Sequence, residues 1–257
     1  MTIIAVSRCR GTDNVGDVNS SPLLYFDYPD VEHFDAKTGT FGNLPPKADA
    51  YIWGGGAITT KVGGANTNLD GFKIAWGIGM SYKNGKQKEG TDVTPLTGYD
   101  RDATFFSLIG SRDDRVQGTE WVPCASCMSP LFDKEYEIKH DAVVYLNGQK
   151  VYKADTVMNN RQSFEETIAF IGSGRVVLTD SYHGAYWATL LGRTAIIVNA
   201  YSSKFFQYRH QPLIVKDTRH LMEAPRVFPE ALQECRDANI QFHAKVQDCI
   251  RNSTTQR

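Results

Sequence analysis

The segment Asp180-Ser181-Tyr182-His183-Gly184 brings a carboxylate, a hydroxyl and an imidazole close together in the chain. The imidazole is the side chain whose proton affinity lies nearest neutrality, so His183 is the candidate acid/base, with Asp180 or Ser181 available to orient it. A helix cap, or a buried histidine with its hydrogen bonds satisfied, is the alternative role. Arg112, preceded by Ser111, follows an apolar run. A guanidinium there can grip a phosphate or carboxylate in bidentate fashion, or else pair with Asp113 or Asp114 at the surface. Near the start, Asn14-Val15-Gly16-Asp17 is a turn whose backbone N–H groups could face an anion or a sugar, or simply join a strand to a helix. Gly54-Gly55-Gly56 removes every side chain from one spot, which suits close approach of backbone to a ligand and equally suits a flexible turn. Lys204, in the aromatic and basic stretch 201–210, either touches substrate or is a solvated charge.

These residues need elements to hold them. Residues 176–178 form an unbroken apolar run, expected of a strand buried on both faces of a parallel sheet. Residues 185–191 then read as helix, Gly192 as its C′ residue, and 194–198 as the next buried strand. In such a βαβ unit ligands bind beyond the carboxyl ends of the strands, where Asp180, Ser181 and His183 fall. Further strands are expected over 3–6, 31–34, 50–53, 72–78, 104–109 and 142–146. Ser20 or Ser21 with Pro22 caps a short helix over 23–26, and Ser163 with Glu166 has capping-box spacing before a stripe of Phe164, Ile168 and Ile171. Residues 229–249 read as one amphipathic helix with Leu232, Cys235, Phe242, Val246 and Cys249 on its apolar face. The expected fold is α/β, with two Rossmann-like lobes built on parallel sheets: residues 1–125, then 126–225, with a C-terminal helix from 226–257 packing across them.

Composition narrows the function classes. The chain has 257 residues, 41% hydrophobic and 22% charged, which suits a globular protein, and a formal net charge of -1. That charge offers no general attraction to nucleic acid or anionic membrane, so any anion must be held by locally placed cations. No signal peptide or membrane span is legible, and a cytoplasmic location is expected. The cysteines, Cys9, Cys124, Cys127, Cys235 and Cys249, are odd in number and sparse, which argues against a disulfide framework. Cys124 and Cys127 make a C-x-x-C without a second ligand pair for zinc. Pro123 before it and Ser129-Pro130 after it are unsuited to a redox pair opening a helix. Packed thiols in a loop, and no metal, are expected.

Taken together, Asn14-Val15-Gly16-Asp17, Gly54-Gly55-Gly56, Ser111-Arg112-Asp113 and Asp180-Ser181-Tyr182-His183-Gly184, with Gly192 after the following helix, resemble the motif set of the polysaccharide pyruvyl transferase family. The likeness lies in their order and strand-end placement. It implies a GT-B-like pair of lobes with the ligand cleft between them. It also implies transfer of pyruvate from phosphoenolpyruvate, the donor substrate, onto a sugar hydroxyl pair as a ketal, in exopolysaccharide or cell-surface glycan biosynthesis. The acceptor would be a sugar or glycan, which can be lipid-linked, and no cofactor is implied. Carried across residue by residue, His183 is the acid/base with Asp180 and Ser181 beside it. Arg112 and Ser111 bind the anion, and Asn14, Gly16, Asp17, Gly54, Gly55, Gly56, Gly184 and Lys204 line the cleft. Two other readings share the architecture: a nucleotide-sugar-dependent glycosyltransferase of GT-B type, and a non-catalytic binding protein of a glycan pathway. Residues 57–71 and 81–100 read as acceptor loops with no code that names the sugar.

Overall fold

Alternation along the apolar runs builds the molecule, because successive strand residues face opposite sides of a sheet. A computed structural model describes residues 2–7, 12–35, 44–57, 68–81, 105–147, 156–198, 200–215 and 226–254. Expectations on Cys9, and on most of 57–71 and 81–100, lie outside the described residues. Among the described residues, β1 (Ile3–Ser7), β2 (Val31–Asp35), β3 (Lys47–Gly54), β4 (Asp70–Ile78), β5 (Leu108–Ser111) and β6 (Glu120–Trp121) form a six-stranded sheet in the order β2-β1-β3-β4-β5-β6. A five-stranded sheet follows, β7 (His140–Leu146), β8 (Val157–Asn159), β9 (Gly174–Thr179), β10 (Thr194–Val198) and β11 (Leu213–Val215), in the order β11-β10-β9-β7-β8. Every strand pairing in both is parallel. The chain is α/β with two parallel sheets, as expected of two Rossmann-like lobes.

In the first sheet Ile4, Val6, Tyr51, Trp53 and Ala75 face one core, while Ile3, Ala50, Ile52, Ile74 and Trp76 face another. The helices are α1 (Val15–Val18), α2 (Phe164–Gly172), α3 (Tyr182–Leu190) and α4 (Ala231–Thr254). The capping box is present at the start of α2: the Ser163 hydroxyl accepts from the Glu166 amide, and the Glu166 side chain accepts from the Ser163 amide. α4 lays Phe242, Val246 and Ile250 on the first sheet and Ala231 and Cys235 in the core of the second half.

Several expectations need correcting. The strand read over 104–109 begins at Leu108 and runs to Ser111, so Ser111 ends the strand instead of following it. The helix read over 23–26 is a single 3₁₀ turn, Pro22–Leu24, and Ser21 makes no side-chain cap bond to it. β9 is not buried on both faces: Val177 is buried, but Val176 and Leu178 are only partly covered, because their face carries a small cluster to which, among the described residues, no helix contributes. On α4 the buried line is Ala231, Cys235, Asn239, Phe242, Val246 and Ile250, so Leu232 and Cys249 sit beside the stripe.

Candidate active site

The end of β9 is turned sharply into α3 by local hydrogen bonds. The Ser181 amide donates to Thr179 Oγ1 at 3.0 Å, and Ser181 Oγ accepts from the Gly184 amide at 3.3 Å as the N-cap. A Cβ at Gly184 would overlap Thr179 Oγ1 and the Tyr145 ring, so glycine lets the helix start close to the sheet. Four-residue spacing then sorts the side chains: His183 with Trp187 on one side of α3, Tyr182 with Tyr186 on the other. The His183 and Trp187 ring centroids lie 5.2 Å apart, and Tyr182 and Tyr208 stack face to face at 4.6 Å and 11°.

His183 is 7% exposed, at the junction of the two halves. Its Nε2 lies 3.5 Å from Cys124 Sγ, in the segment between the sheets. Its other edge faces the first half, where a Cβ on Gly16 would overlap Nδ1. Burial, followed by the positive charges of Arg112 and Lys204, holds its proton affinity well below the ordinary histidine range, so it is neutral at pH 7. Neither Asp180 nor Ser181 makes a hydrogen bond to the imidazole among the described residues. Ser181 is the helix cap, and Asp180 Oδ1 accepts from the Asn147 amide at 2.6 Å. Burial raises the Asp180 carboxyl above its usual range, opposed by that hydrogen bond and by Lys204.

Arg112 follows β5 and is 3% exposed. It is not the surface arginine that was one alternative. Gly79 makes room for it, since a Cβ there would overlap its Nε. The guanidinium lies flat over the Tyr182 ring at 3.9 Å, its Nε is buried with no hydrogen bond among the described residues, and its ion pair to Asp113 is long, at 4.0 Å. Asp113 is held instead by the Met80 amide at 2.7 Å, and burial pushes its carboxyl up to about 6. Ser111 Oγ bonds within the same turn, donating to the Asp113 carbonyl. Beside Arg112 opens a cleft also lined by Trp121, Tyr182, Tyr208, Arg209 and His210. There the Arg209 guanidinium covers Trp121 at 3.7 Å and reaches Asp114 at 3.4 Å.

A polar cluster crowns the second sheet. Asn147 Nδ2 donates to Tyr201 Oη, Lys204 Nζ donates to the same oxygen, and Asn160 Nδ2 donates to Asn147 Oδ1. Asn14 is the N-cap of α1, its Oδ1 accepting from the Gly16 amide at 3.0 Å, and the Val15 amide donates to the Asn160 carbonyl at 2.9 Å. Asp17, on α1, adds negative charge near Cys124. A Cβ at Gly54 would strike Pro22, and one at Gly55, which has φ +77°, would strike Ser20, so the backbone is bared for the neighbouring chain segment.

Cys124 and Cys127 are buried free thiols, with Cys127 pushed up to about 12 by burial. Among the described residues no three His, Cys, Asp or Glu side chains gather where a metal could be held, and no helix is long and apolar enough to cross a membrane. No model of a known protein family matches the chain, and no curated protein matches it. The contact between Cys124 and His183 is the feature sequence reasoning missed. A C-x-x-C is visible, but a partner 59 residues away is not. The stacking of Tyr182 between Tyr208 and Arg112, and of Arg209 on Trp121, was likewise hidden, because stacking partners leave no spacing signal.

Proposed function

We infer that the chain is a phosphoenolpyruvate-dependent transferase of the polysaccharide pyruvyl transferase type, GT-B-like in its paired lobes, that places pyruvate on a sugar hydroxyl pair as a ketal. The reading is carried by Arg112 and His183, which come from opposite halves to one junction, near enough that the guanidinium depresses the proton affinity of the imidazole. An anionic donor seated against Arg112 would cancel that charge, and the proton affinity of His183 would rise as the donor binds. The chemistry uses such a coupling. C3 of the enol takes a proton, C2 bonds to both sugar oxygens, and the bond from C2 to the phosphate oxygen breaks. Of the two hydroxyl protons, one ends on the new methyl group and the other leaves with inorganic phosphate. His183 is the group to move one of them, and Arg112 grips the carboxylate or phosphate. Asp180, Asn147, Tyr201 and Lys204, at the mouth of the second sheet, offer the mixed donors and acceptors that sugar hydroxyls need.

Thermal stabilisation tests this directly. Phosphoenolpyruvate at about 100 times its dissociation constant should stabilise the protein by ~2.7 kcal/mol. Nucleoside diphosphate sugars should give no such effect. Arg112→Lys keeps the charge but loses the planar fork, and should weaken the phosphoenolpyruvate effect at least tenfold in concentration. Stabilisation by a nucleotide sugar alone would move the protein to the glycosyltransferase class. A response to glycans alone would make it a binding protein.

A further inference from the structure

The surroundings of His183 define which of its nitrogens carries the proton. Trp187 Nε1, which can only donate, lies 3.0 Å from Ser126 Oγ. Ser126 Oγ lies 3.3 Å from Cys124 Sγ, and Cys124 Sγ lies 3.5 Å from His183 Nε2. All four side chains are buried, and Cys124 is 0% exposed.

Three contacts are thus available for three protons. Ser126 accepts from Trp187, so its own proton must find another acceptor, and among the described residues that acceptor is Cys124 Sγ. The sulfur is a thiol, because burial holds its proton affinity above the ordinary range. Its one proton then has His183 Nε2 as its acceptor. The opposite order, with Nε2–H donating to sulfur and sulfur donating to Ser126, would aim two donors at Ser126 and leave its hydroxyl proton without a partner. Buried polar groups avoid that state.

We propose that Trp187, Ser126 and Cys124 form a one-way hydrogen-bond relay that fixes neutral His183 as the Nδ1–H tautomer, with Cys124 as its positioning residue. Nδ1 is the atom facing Gly16 and the α1 turn, so the resting histidine presents a donor to the first half. The catalytic meaning rests on the role given to His183 above: the relay presents Nδ1–H to the site as a hydrogen-bond donor for developing negative charge. The tautomer itself is a property of the free protein.

The test is ¹⁵N NMR of histidine-labelled protein without substrate, with the His183 resonances assigned by their loss in His183→Gln. Wild type should show a pyrrole-type Nδ1 and a pyridine-type Nε2. Cys124→Ala should invert or mix the two, because Nε2 loses its donor. Cys124→Ser, whose hydroxyl continues the relay, should restore the wild-type pattern. A pyridine-type Nδ1 in the wild type, or the wild-type pattern persisting in Cys124→Ala, would overturn the proposal. Since no turnover is measured, failure here leaves the phosphoenolpyruvate result standing, and failure of that screen leaves the tautomer standing.

Discussion

Two buried ionisable groups at the junction, His183 and Asp113, pull the pH dependence of stability in opposite directions. His183 has a folded proton affinity below its unfolded one, so the unfolded chain binds more protons in acid, and its contribution is lost as pH falls below about 6.5. Asp113, raised from 3.8 to about 6, binds more protons when folded, so its contribution is lost as pH rises from about 4 to about 6. Its weight is at most about 3 kcal/mol. Denaturant unfolding across this range should therefore give a stability that falls with rising pH in His183→Gln and climbs in Asp113→Asn. Parallel curves for the two variants would mean that neither group is perturbed. Gly16→Ala forces the His183 ring away from the α1 turn, and turnover should drop by about 10²-fold or more, since misplacing a reacting group by ~1 Å costs that much. Unchanged turnover in the folded variant would remove His183 from the chemistry. In the sequence His183, Arg112 and Gly16 stood out as residue types at strand or turn positions. That Gly16 is a glycine for the sake of His183, and Gly79 for the sake of Arg112, could not be read, because both are contacts across the fold.

Signals whose partners lie close in the chain were the most legible in the sequence. The capping box of α2 was visible because all its partners lie within one turn of chain. The face of α4 was read correctly at Cys235, Phe242 and Val246 and one position off at its ends, and Asn239 was left out because a polar residue in a buried line looks like the exposed face. Asn239 Oδ1 accepts from Trp76 Nε1 at 2.9 Å, while its Nδ2 donates to the carbonyls of Pro123 and Cys235. One amide thus ties the first sheet, the connecting segment and α4 together. Asn239→Leu keeps the branched shape but leaves the Trp76 N–H and the Pro123 carbonyl buried and unpaired, at a cost of about 2–5 kcal/mol. Chemical denaturation would register it as a lower midpoint with an unchanged slope. A loss below about 1 kcal/mol would show that packing alone fixes α4.

For the molecule as a whole, the alternation of strands predicted two parallel sheets, but not how they are joined. The core of the second half begins at Val15, runs through Cys124 and Cys127, and includes Tyr182, Trp187 and the Cys235 of α4. Backbone bonds cross the junction as well, from Val15 to Asn160 and from Asp114 to Gln207, each at 2.9 Å. The Arg209 pair with Asp114 is partly exposed and adds little. α4, with 24 residues and a length of about 36 Å, has its first turns in one core and its later turns on the other sheet. Neither half can open without exposing apolar surface that belongs to both, so they should unfold as one unit. Native-state hydrogen exchange checks this: the slowest amides of β3 and β4 should exchange with the same free energy as those of β9 and β10, equal to the global value. Asn239→Leu should lower all four strands together. If the two sets report separate free energies, or if only β3 and β4 respond to the substitution, the halves are independent units. The junction holding His183 and Arg112 would then be free to come apart in the folded protein.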